Sequence, residues 1–136
     1  MSLASYIGSN VKIPTSDESS EDLIVIGNCF SDEKMRKDVK VNQFSTPFVY
    51  EVSSRLWGIE ITEHLDAETR EDSKKKLTEL CRIMDGHLKK DDFFELFSCW
   101  VGEEADKRDG ELTLKINNFD IDQIEIPAKT LVRFEK

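Results

Sequence analysis

The chain has 136 residues, 28 acidic and 19 basic, for a formal charge of −9. That length suits one domain with a core of its own, and the charge argues against nucleic acid and against anionic membranes, since both are polyanions. Its three cysteines, Cys29, Cys81 and Cys99, form no CxxC pair, which fits a reducing, cytoplasmic setting better than a disulfide framework. The first ten residues lack a basic stretch followed by an apolar run. Nowhere does the chain approach the roughly 20 apolar residues of a membrane-spanning helix.

In chain order, residues 1–3 are set aside as vector-derived, VKIP at 11–14 is a brief extended piece, and 15–22 is a polar loop. The run LIVIGNCF at 23–30 is apolar and β-branched, as a buried strand would be. Residues 31–42 hold one or two helical turns, with Ser31 as a partial cap. PFVYEVSS and LWGIEIT, at 47–54 and 56–62, alternate in polarity and predict two strands joined as a hairpin at 53–55.

The principal helix is expected over about 66–89. Leu77, Leu80, Cys81, Met84 and Leu88 recur at helical spacing, acids gather at its start and Lys89 and Lys90 at its end. Strands follow at 92–101, 110–119, 122–128 and 129–136, the third cut short or pushed to an edge by Pro127. The stretch at 102–110 is read as a long hairpin connection between the first two. Strands, one main helix, then strands predict a single α+β domain. Its mainly antiparallel sheet should have about five to seven strands, with the helix on one face.

Charge is unevenly spread. Residues 63–72 carry −4, residues 73–90 carry +4, and residues 91–111 carry −6. The last segment is the strongest local field. It nominates Asp91, Asp92, Glu103, Glu104, Asp106 and Asp109 as a surface for a basic partner, with the two adjacent glutamates read as solvated loop acids.

Candidate chemistry centres on FSCWVGEE at 97–104. Cys99 shares its strand face with Phe93, Glu95, Phe97 and Val101, so it reads as interior, and burial beside acids disfavours the thiolate a nucleophile needs. His64 and His87 have no metal-ligand spacing between them. Asp120-Ile121-Asp122 lacks the glycine and closing glutamate of a calcium loop. No cofactor fingerprint occurs, so no metal or cofactor is expected. In the lysine run 74–76, at least two side chains are expected to be solvated, and Phe119, among turn-forming residues, is expected at the surface.

These observations favour a small, acidic, bacterial-type protein acting as a non-catalytic interaction module. It would resemble in manner the immunity or inhibitor proteins that cover a cationic site. The alternative is a small enzyme or small-molecule binder with a pocket between helix and sheet, using Cys99, Glu60 and His64. A homo-oligomer paired through a sheet edge is a third arrangement open to such a chain.

Overall fold

The computed structural model describes residues 3–17, 22–27, 33–53 and 58–136. In chain order its elements are β1 (Leu3–Ser9), β2 (Val25–Gly27), α1 (Glu33–Asn42), β3 (Phe48–Ser53), α2 (Ala67–Asp85), β4 (Phe93–Trp100), β5 (Gly110–Lys115) and β6 (Thr130–Glu135). The strands form one sheet in the order β2-β3-β1-β4-β6-β5. All neighbours are antiparallel except β5 and β6. The α+β class expected from the sequence holds, with the long helix packed on the sheet.

Alternation along the central strands gives the sheet two faces. Ile7, Val52, Leu96, Phe94, Val132 and Phe134 point to one, where they join Leu77, Leu80, Cys81, Met84 and Leu88 of the α2 region. Ala4, Tyr6, Phe97, Cys99 and Leu131 point to the other, under Val39 of α1 and Phe44 just beyond it. Each fully buried aliphatic side chain is worth about 1.5–3 kcal/mol, whereas an exposed ion pair adds a fraction of one. The apolar stripe therefore fixes α2 to the sheet, and the surface pairs along it, such as Arg82 with Glu79, decorate it.

Asp66 caps α2, its carboxylate accepting from the Thr69 amide at 3.3 Å. Gly86 ends the helix short of the expected residue 89, yet Leu88 stays buried because its amide donates to the Met84 carbonyl at 3.0 Å. In the lysine run only Lys75 is exposed, not the two or more side chains expected. Lys76 is buried and paired with Asp72, and Lys74 bridges two carboxylates.

β1 is central, and every residue in it is buried. Leu3 pairs with Trp100. Its internal serines are satisfied: Ser5 Oγ lies 2.7 Å from Ser98 Oγ and accepts from the Ile59 amide at 2.8 Å. Gly8 is required by close approach, since a Cβ there would collide with Thr46 Oγ1 and the Phe44 ring.

Two expected hairpins are replaced by other pairings. Both edges of β3 are taken, by β1 and β2, so the 56–62 segment cannot pair with it. Its Ile61 instead bridges Ile126, while the expected turn at 54–55 and Trp57 lie outside the described residues. β4 and β5 are likewise not a hairpin, because β6 lies between them. The parallel β5–β6 pair requires a long return path. Residues 116–129 supply it, crossing the α2 side and burying Ile116 and Ile126. Phe119 lies on that crossover, half-buried and tilted against Phe134 at 5.7 Å, so it is not the surface aromatic expected.

Candidate functional site

The end of β4 brings a thiol, a phenol and a carboxylate together inside the protein. Cys99 and Tyr6 are both fully buried, and Glu104 is 2% exposed. The Tyr6 hydroxyl donates to Glu104 Oε2 at 3.0 Å, and the Cys99 thiol lies 3.7 Å from the same oxygen. The other oxygen, Oε1, accepts from the Gly102 amide at 2.9 Å. The tight turn at 101–102, where Gly102 adopts φ 102°, folds the chain back so that Glu104 points inward. Glu104 is therefore no solvated loop acid, as the sequence suggested. Adjacent residues diverge here: Glu103 faces Lys129 and Glu104 the interior.

This cluster is built for packing rather than for attack. Burial raises the Cys99 thiol above its ordinary range, and the charge of Glu104 raises it further. Burial and then Glu104 raise the Tyr6 phenol likewise. A nucleophilic thiol wants an imidazole or a positive field, and here its partner is an acceptor carrying negative charge. His64 and His87 are exposed near opposite ends of α2. Glu60 accepts from the Ala128 amide at 3.2 Å. Among the described residues no hydrogen bond joins any two of Cys99, Glu60 and His64.

The loop after β4 is held by Gln43 and Lys129 from elsewhere and by its own Arg108. Gln43 Nε2 donates to the carbonyls of Glu104 and Asp106, at 3.2 and 2.7 Å. Arg108 donates to the Gln43 carbonyl at 2.9 Å and to Glu111 at 2.8 Å, which also places a cation at the end of α1. Lys129 donates its amide to Ser98 and receives that of Asp109, both at 2.7 Å, while its ammonium lies 3.7 Å from Glu103 and 3.9 Å from Asp106. These bonds hold Lys129 at φ 61°, a conformation that side-chain-bearing residues rarely adopt.

The six acids singled out in the sequence do not form one patch. Asp91 and Asp92 precede the eight-residue β4, and Glu103 to Asp109 follow it. At about 3.3 Å per residue the two groups stand roughly 26 Å apart, some three Debye lengths at physiological salt. Asp92 is tied down by Asn10 at 3.0 Å and by the Phe93 amide at 2.8 Å. Asp106 and Asp109 stay exposed, but Lys107, Arg108 and Lys129 stand among them.

A more concentrated acidic surface lies where the start of α2 meets the β5–β6 crossover. Lys74 Nζ joins the two segments, bonding Glu71 and Asp122 at 3.2 Å each. Beside it a groove of about 280 Å³ is lined by Glu63, Arg70, Asp122 and Glu125, among others. Residues 63–75 and 120–125 together carry eight carboxylates against three cations. Acids in the first turn of α2 complement its dipole, which accounts for Asp66 and Glu68. It does not account for Asp120, Asp122 and Glu125, which come from a different element. The sequence showed the −4 of residues 63–72, but not what the fold lays beside it. Comparison with protein-family models, curated proteins and solved structures gives no match.

Proposed function

We propose that this chain is a non-catalytic protein-binding module that meets a basic partner through the acidic surface formed by residues 63–75 and 120–125. One observation carries the reading: two segments distant in sequence bring Glu63, Asp122 and Glu125 onto one groove, and Lys74 joins them by bonding Glu71 and Asp122. Concentrated charge of one sign raises the rate of encounter with a partner of the other sign and makes binding sensitive to salt. The rigid sheet beneath would hold the acids in place, so that little ordering is needed on binding. The acids of the β4–β5 connection, Asp106 and Asp109, would contribute less, because they are fewer and Lys107, Arg108 and Lys129 nearly balance them.

The test is affinity capture from the native cell at low and high salt. It compares wild type with a charge-reversed variant, Glu63→Lys with Asp122→Lys and Glu125→Lys. The proposal expects a basic protein retained by the wild type, lost at high salt and absent from the variant. Retention that ignores both salt and the variant would overturn it.

A further inference from the structure

Glu95 is a buried carboxylate that the protein satisfies on one side only. It points to the α1 face of β4, 3% exposed, and its Oε1 accepts from the amide and the hydroxyl of Ser45 at 3.0 and 3.1 Å. Among the described residues its other oxygen has no hydrogen-bond partner, and the group has no ion pair. Arg133 sits directly opposite in the β4–β6 register. Its guanidinium nevertheless makes no ion pair with Glu95, lying 3.6 Å over the Phe93 ring with Nε 3.2 Å from Glu135 but in no hydrogen bond. Burying a carboxylate without a cation is costly, and Glu104 shows how this fold otherwise meets that cost, with donors on both oxygens.

Gln43, which lines the same cleft, supplies an unmet buried acceptor. Its Nε2 donates to two carbonyls, which fixes the amide orientation, since an oxygen there would face two other oxygens. Its Oε1 then has no partner, although the residue is 3% exposed. Both residues line a cleft of about 480 Å³, together with Ser45, Arg108, Glu111 and Arg133. Phe44 and Leu131 add apolar wall. Arg108 is paired with Glu111, and Arg133 lies within ion-pair distance of Glu135, which it shares with Lys115; neither arginine is paired with Glu95.

We infer that this cleft binds a primary ammonium group carried on a short aliphatic chain. The ammonium donates to the open oxygen of Glu95 and to Gln43 Oε1, and the methylenes lie against Phe44 and Leu131. The volume falls within the range of small-molecule sites. This site lies on the α1 face and does not depend on the acidic groove beside α2.

The experiment titrates the intact protein with n-butylammonium, following the Ser45 backbone amide and the Gln43 side-chain amide by NMR. Tetramethylammonium, which has the charge but no N–H donor, is the comparison. Saturable shifts with n-butylammonium alone are expected, and Glu95→Gln should weaken binding at least about tenfold. The comparison of the two ammonium ions needs no variant, so it stands even if Glu95→Gln does not fold. No shift with either ion, equal shifts with both, or a folded Glu95→Gln protein that binds as tightly would overturn the inference.

Discussion

Removing the Glu104 side chain is the sharpest structural perturbation this fold offers. In Glu104→Ala the Tyr6 hydroxyl, fully buried, loses its acceptor, and an unsatisfied buried donor costs about 1–3 kcal/mol. The Gly102 amide sits in an exposed residue and can turn to water, so it adds little. Deleting a buried carboxylate without a cation partner recovers part of its desolvation. The expected net loss is about 2 kcal/mol. Tyr6→Phe removes the other partner, and a hydrogen bond to a charged group is worth about 1.5–3 kcal/mol. The double variant should therefore be more stable than the sum of the single losses predicts, by at least about 1 kcal/mol. Urea unfolding of the four proteins, followed by circular dichroism with a common m-value, measures this coupling. Losses that add to within about 0.5 kcal/mol would refute an inward Glu104 bonded to Tyr6.

Three further outcomes follow from the same interior. Burial, helped by Asp85, pushes the Cys81 thiol up to about 12, and Cys99 is raised as well, whereas unfolded thiols ionise near 8.5. Their contribution is fully present below about pH 8.5 and is lost above it, at about 1.4 kcal/mol per pH unit per thiol. At pH 10 that is about 2 kcal/mol for Cys81, with Cys99 acting in the same direction, and a Cys81→Ala/Cys99→Ala protein should show a flatter alkaline profile in urea melts. Gly8→Ala should cost about 1–3 kcal/mol by overpacking against Phe44 and Thr46, read as a lower thermal midpoint. Arg108→Ala should speed hydrogen exchange across 101–109 while changing global stability by less than about 1 kcal/mol, because its bonds hold a loop and not the core.

What could be read directly from the sequence was whatever repeats locally. The 3.6-residue recurrence from Leu77 to Leu88 located α2, and simple alternation located β3 and β5. β1 escaped because Ser5, Gly8 and Ser9 interrupt its apolar pattern, and Ser5 and Gly8 are justified only by partners distant in the chain, Ser98 and Phe44. Strand order escaped for a related reason: a neighbour in sequence looks like a hairpin partner until a third strand, here β6, takes its edge. Burial of Cys99 was legible from the apolar strand around it. The inward turn of Glu104 was not, since it depends on a bend at Gly102 and on a tyrosine 98 positions away. Glu95 lay in plain view on the strand, but its unmet oxygen required the positions of Ser45 and Arg133.

The claim beneath the whole reading is that the thiol at the end of β4 is interior structure and not a reactive centre. A protein whose only remaining cysteine is Cys99, made with Cys29→Ser and Cys81→Ser, tests it most directly. Treated with iodoacetamide at neutral pH, Cys99 should stay unmodified in the native protein and react only as urea unfolds it. Rapid, complete modification in native buffer would contradict the account.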